Sequence, residues 1–231
     1  MIPRTLEESL NGGYPGLYGE VVTCDMYHLR QVTFQPDVIF DIGANVGVFS
    51  RFARELFPKA HIVAVEPHPQ NLEVFKQFTH DSNLSLVEAA LGRGPVFRAT
   101  TAVNGAHECY LSAGLGYPLE VMENAVRNGL GLEASMVPVV TVRDLVWRFW
   151  KPTMKALMKI DCEGGENAIW DDPPSLVALS LMDYLCLELH DYAISGNEVE
   201  KVREVTTQVL CWLAQTHDCQ RDGVYFWATR R

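Results

Sequence analysis

From Pro36 onward the chain alternates short β-branched runs with stretches whose apolar residues return every three or four positions, a rhythm that admits few architectures. Asp37-Val-Ile-Phe-Asp41 reads as a first, buried strand, His61-Ile-Val-Ala-Val65 as a second and Leu84-Ser-Leu-Val87 as a third, and a parallel sheet of such strands needs cover on both faces. Between them, Val46, Phe49, Phe52, Ala53, Leu56 and Phe57 recur at helical spacing until Pro58, and Leu72, Phe75 and Phe78 follow the second run in the same way. The expected fold class is α/β, a mostly parallel central sheet with helices on both faces. Further strands are expected at 137–142, 156–160, 184–189 and 223–228. A short helix is expected at 144–150, with Trp147 and Trp150 in the core, and a long one near 197–217.

Two stretches depart from the rhythm. Residues 1–35 precede the core, and their Tyr14, Tyr18 and Tyr27, with Glu20 and Asp25, suit either a flap over a ligand or a packed helix or hairpin. Residues 104–135 are glycine-rich and lack strong alternation, so they read as an inserted loop and helix segment, with the helix near 119–128. The remainder, 36–231, is expected to be one domain, which 231 residues and 25.9 kDa allow.

Composition narrows the partners. A net charge of −10 repels phosphate backbones and anionic bilayers, so neither nucleic acid nor a membrane is an expected partner. The N-terminus shows no apolar signal region. The best candidate span, residues 175–189, carries Asp183 and Glu188 and is shorter than the roughly 20 apolar residues a bilayer needs. The six cysteines form no CxxC pair and several lie in apolar runs, as expected of reduced, buried thiols in a cytoplasmic protein.

Asp41-Ile-Gly-Ala-Asn-Val-Gly47 sits where the first strand gives way to a helix, and glycines there let a ligand approach the backbone beside a helix N-terminus. Glu66 ends the second strand about 20 residues later, where a Rossmann-type fold places the carboxylate that binds ribose hydroxyls. Together they imply an adenosine-bearing cofactor. Gly43, Asn45 and Gly47 fill the glycine pattern of a dinucleotide turn incompletely, which favours a smaller zwitterion over a pyrophosphate.

Three ordered segments resemble the FkbM-type S-adenosylmethionine-dependent methyltransferases, within the Rossmann-like class I methyltransferases. They are VIFDIGANVGVFS at 38–50 with VAVEP at 63–67, VVTVRDL at 139–145, and MKIDCEGGE at 158–166 followed by CLELHDY at 186–192. Arg143 stands where the family more often has an acid, and the resemblance covers roughly residues 36–192. It implies that Asp41, Gly43, Ala44, Asn45 and Gly47 surround the methionine part of S-adenosylmethionine, and that Glu66 binds its ribose. Pro67 and His68 would border the adenosine, and Glu88 and Ala89 would frame the adenine. S-adenosylhomocysteine would be the product.

Acids and bases at the carboxyl ends of strands are candidates for the chemistry. Glu188 and His190 share one face of their strand, opposite Leu187 and Leu189. His190 is the first candidate for a general base, Asp161 the second, or else a holder of the cofactor's amine, and Glu188 completes the catalytic set. Glu163 and Glu166 suit the opening of a helix. Asp161, Glu163, Glu188 and His190 also suit a divalent ion, although no resident metal is expected. The expected activity is methylation of a hydroxyl on a small molecule, glycan or natural product. The alternatives are a nucleotide-dependent oxidoreductase and a non-catalytic S-adenosylmethionine-binding protein.

Overall fold

A computed structural model describes residues 15–78, 81–92, 96–101, 108–112, 130–162, 165–170, 172–190 and 198–231. Its strands are β1 (Val38–Ile42), β2 (His61–Val65), β3 (Leu84–Val87), β4 (Ala90–Leu91), β5 (Val96–Thr101), β6 (Glu108–Ser112), β7 (Leu130–Val137), β8 (Val139–Val140), β9 (Ala156–Ile160), β10 (Tyr184–Glu188), β11 (His217–Asp222) and β12 (Tyr225–Arg230). The helices that cover them are α1 (Val48–Leu56), α2 (Pro69–Phe78), α3 (Val142–Phe149), α4 (Asn167–Trp170), α5 (Pro173–Ser180) and α6 (Glu198–Leu213). Seven strands form the central sheet in the order β3-β2-β1-β9-β10-β12-β11. The first five run parallel, and β12 lies antiparallel to both of its neighbours. The chain winds outward from β1 through β2 to β3 and returns to β9 on the other side of β1, so the strand order switches between β1 and β9. A sheet of this kind binds ligands beyond the carboxyl ends of its strands at that switch.

Alternation along each strand separates two apolar layers. Phe40, Ile42, Met158, Ile160, Leu185 and Leu187 face α3, α5 and α6, meeting Leu145, Leu179 and Leu213. Ile39, Ile62, Leu157, Tyr184 and Cys186 face the other way, against Phe49, Phe52 and Ala53 of α1. Val21, Val22, Tyr27 and Leu29 join that second layer, so the described part of the segment before residue 36 shares the core of the sheet.

Several elements differ from their sequence expectations for identifiable reasons. In α3 the buried positions are Val142, Leu145 and Val146, so Trp147, which lies outside that stripe, points outward and is 82% exposed rather than core-packed. Trp150 is part-buried against the first layer, as expected. The long helix ends at Leu213, and the polar run after it forms β11, an edge strand whose exposed face hides it from an apolar pattern. The inserted segment opens earlier than 104: β5, β6 and β7 pair antiparallel in the order β6-β5-β7. The short parallel pair β4–β8 ties the points where the chain leaves and rejoins the core. The helix expected near 119–128 lies outside the described residues. Among the described residues Cys186 is buried, as expected of the thiols in apolar runs, Cys162 and Cys219 are part-buried, and Cys24 and Cys211 are exposed. Among the described residues no helix is long and apolar enough to cross a membrane.

Candidate functional site

The turn after β1 is dictated by its backbone. Gly43 has φ +76°, and a Cβ there would lie 1.7 Å from the Asp161 carbonyl oxygen. Gly47 has φ +88°, and its Cβ would meet the Phe75 ring of α2 at 2.6 Å. Asn45, at φ +51°, is a residue that tolerates the left-handed region, and its side-chain oxygen accepts from the Val46 amide at 2.7 Å. The Val65 carbonyl accepts from the Gly43 and Ala44 amides, which fastens the turn to β2. Gly47 then begins α1 without a side-chain cap, leaving the amide end of that helix suited to an anionic group.

Glu66 closes the turn from the end of β2. Its carboxylate accepts from the Asn45 and His68 amides, both at 2.8 Å, and from the Asn71 side chain at 3.2 Å. Burial pushes its pKa up, and these three donors offset the push only in part. A carboxylate offers about four acceptor positions, so this one retains capacity for a further donor.

Beneath the turn lies an ion network that motif spacing did not reveal. Lys159, buried in β9, donates to the Gly43 carbonyl at 2.7 Å and lies 3.3 Å from Asp41 and 3.4 Å from Asp161. Burial alone would lower its pKa, but Asp161 and Asp41 outweigh that and raise it, so the lysine stays charged. Asp41 is fully buried and also accepts from Ser50 of α1 at 2.6 Å. The available signal was a lysine within the otherwise apolar run Ala156-Leu-Met-Lys-Ile160.

The second half of the site joins residues distant in sequence. The Tyr27 phenol donates to Asp161 Oδ2 at 2.7 Å. Tyr27 is held there because Tyr184 donates to its carbonyl and Trp227 to that of Met26, while Asp25 accepts from the Leu29 and Arg30 amides. Burial, then Asp161 and Glu188, raise the Tyr27 pKa, which keeps it a donor. Burial also works to raise the Asp161 carboxyl, yet Lys159, His190 and the Tyr27 hydrogen bond bring it below its ordinary value. His190 is buried, and both its Nδ1 (2.9 Å) and its backbone amide (2.7 Å) meet Glu166 Oε1. The Glu166 carboxylate on Nδ1 fixes the orientation of the ring and directs Nε2 toward Asp161 and Glu188. Nε2 lies 3.7 Å from Asp161 and 3.8 Å from Glu188.

Asp161, Glu188 and His190 therefore converge, and Asp161 adjoins the glycine turn through its carbonyl. Glu166, assigned from sequence to a helix start, instead secures His190. His68 and Ala89 are buried near the ends of β2 and β3, with Pro67 part-buried beside them. Glu88 is exposed and pairs at the surface with Lys76 of α2. Tyr14, Glu163, Asp191 and Tyr192 lie outside the described residues.

Comparison with known proteins adds a family to this geometry. Residues 41–170, more than half of the chain, match the family described as "Methyltransferase FkbM domain". Methyltransferase sdnD of Sordaria araneosa is 33% identical over 76 residues, covering 33% of this chain and 27% of that protein. The 31-O-demethyl-FK506 methyltransferase FkbM of Streptomyces tacrolimicus is 43% identical over 54 residues, covering 23% of this chain and 21% of its own. The matched stretches thus span about a quarter of these relatives. Among solved structures, a candidate rRNA-methylase of Clostridium thermocellum superposes with a TM-score of 0.50 at 7% identity, over 90% of this chain and 94% of the other, a likeness of fold.

Proposed function

Because the chain belongs to the FkbM methyltransferase family, we propose that it transfers a methyl group from S-adenosylmethionine to a hydroxyl of a small molecule, glycan or natural product. The observation that carries this reading is the abutment of Gly43 on Asp161, which puts the cofactor turn and the acidic, histidine-bearing cluster at one end of the sheet. A turn that excludes side chains, a buried acceptor at Glu66 and the uncapped start of α1 fit an adenosine with a zwitterionic tail. When bound, that cofactor supplies an electrophilic methyl group.

This chain's residues do the rest. Glu66 orients the ribose, Pro67, His68 and Ala89 flank the adenosine, and Gly43, Ala44, Asn45 and Gly47 receive the amino acid end. Glu88 belongs near the adenine edge. Asp41 acts from below, through Lys159, on the Gly43 carbonyl. Asp161 and Glu188 align the acceptor hydroxyl, and its proton is removed on the side that His190 Nε2 faces. Alignment and proton removal are the main demands of an in-line displacement. The oxygen preference is supported by the name of the tacrolimicus relative, and the family match removes support from the oxidoreductase alternative.

The test is formation of S-adenosylhomocysteine from S-adenosylmethionine with panels of hydroxyl and amine acceptors. Turnover with a hydroxyl acceptor is expected. Turnover confined to amines would overturn the oxygen assignment, and cofactor binding without turnover on any acceptor would favour a non-catalytic binding protein.

A further inference from the structure

Asp161, Glu188 and His190 approach from the ends of neighbouring strands β9 and β10, each bringing one ligand atom to within 4.8 Å of the others. The 3.7 and 3.8 Å separations from Nε2 exceed hydrogen-bond length. They suit atoms that share one ion, since ligands held 2.0–2.2 Å from a small divalent ion lie roughly 3–4 Å apart.

The groups behind these atoms act in the same sense. Glu166 occupies Nδ1 and so turns Nε2 inward, the carboxylate–histidine arrangement that orients metal-bound imidazoles. Glu166 is itself secured, because Cys162 lies 3.5 Å from its other oxygen and the His190 amide donates to Oε1. Tyr27 and Lys159 both engage Oδ2 of Asp161, which leaves Oδ1 to face the cluster.

We propose that Asp161, Glu188 and His190 bind a divalent cation of the oxygen-preferring class, magnesium or manganese, with Glu166 as the positioning residue behind His190. This proposal departs from the expectation that no resident metal is held. The use of the ion rests on the methyltransferase reading: an acceptor hydroxyl entering its shell has a lowered proton affinity, and Nε2 then serves as a ligand rather than as a free base. The binding itself does not depend on that reading.

The experiment is titration of the full chain with Mn2+ alone, followed by electron paramagnetic resonance, then competition with Mg2+. Saturable binding of one ion per chain is expected, and Glu188→Gln and His190→Gln should each weaken it at least about tenfold, the lower end for losing a supporting group. Glu166→Gln should weaken it roughly 10- to 100-fold. Thermal unfolding of each variant confirms its fold, and Glu188, 21% exposed at a strand end, is the substitution the fold tolerates best. Absence of saturable binding, or binding that all three variants retain, overturns the proposal. The same preparation is titrated calorimetrically with S-adenosylmethionine. Cofactor binding without Mn2+ binding defeats the cation site alone, whereas Mn2+ binding without cofactor binding leaves the cation site standing and defeats the methyltransferase reading.

Discussion

The two halves of the site are made in different ways. The glycine turn is local: it comes mainly from the chain between Asp41 and Gly47, and its shape follows from three positive φ angles and two positions where a Cβ collides with its surroundings. The acidic cluster is assembled from Tyr27, Lys159, Asp161, Glu166, Glu188 and His190, brought together from the N-terminal segment, the end of β9, the start of α4 and the end of β10 and fixed by hydrogen bonds or ion pairs. A local turn tolerates change elsewhere but not within itself. An assembled cluster fails wherever one of its supports is removed.

The comparison breaks first if the two halves cannot be separated by mutation. His190→Ala is expected to lower turnover roughly 10²- to 10⁴-fold while S-adenosylmethionine affinity stays nearly constant. Steady-state kinetics with calorimetric cofactor binding checks this, and unaltered turnover would remove His190 from the chemistry. Lys159 joins the halves, so Lys159→Met should cost about 3–5 kcal/mol of stability by leaving Asp41 and Asp161 buried without their cation. Denaturant unfolding decides it, and a loss under about 1 kcal/mol would put Lys159 on a par with a surface pair. Gly43→Ala should cost about 3 kcal/mol from backbone strain and the clash with Asp161, and should weaken cofactor binding. Wild-type stability in that variant would show that the turn has room to move.

A smaller effect sharpens the contrast. Tyr27→Phe should cost about 2 kcal/mol, as expected for a hydrogen bond to a charged group, and should raise the Asp161 pKa. The pH dependence of stability carries opposite signs in the two halves. Asp161 has a lowered folded pKa, so its contribution is present above its unfolded pKa of about 4 and is lost as pH falls through the lower folded value. Glu66 has a raised folded pKa, so its contribution is present below its unfolded pKa of about 4.3 and is lost as pH rises through the folded value. Acidification from neutrality should therefore first raise the melting temperature slightly and then lower it. Glu66→Ala should abolish the initial rise, and an unchanged profile in that variant would mean that Glu66 is not the group responsible.

The same division governs what could be read from the chain. The strands at β1, β2 and β9, the turn and Glu66 are legible because burial on both faces and a left-handed bend leave residue-type signatures within a few positions. Glu188 and His190 are legible as a pair by alternation along β10. The supports are not. Tyr27 reaches Asp161 across more than a hundred positions, and nothing near either residue encodes that meeting. Glu166 looks like an ordinary acid at a helix start, although its hydrogen-bond partner His190 is on another strand end. β11 is hidden for the opposite reason, since an edge strand facing solvent has no apolar pattern to show.

The central claim is that the turn after β1, closed by Glu66, holds S-adenosylmethionine. Parallel calorimetric titration with S-adenosylmethionine, S-adenosylhomocysteine and NAD, repeated on Glu66→Ala, tests it directly, because all three contain adenosine and the variant removes its ribose acceptor. Tighter binding of the two sulfur compounds, weakened in the variant, is the predicted result. Tighter binding of NAD, or no binding of any of the three, would contradict the account.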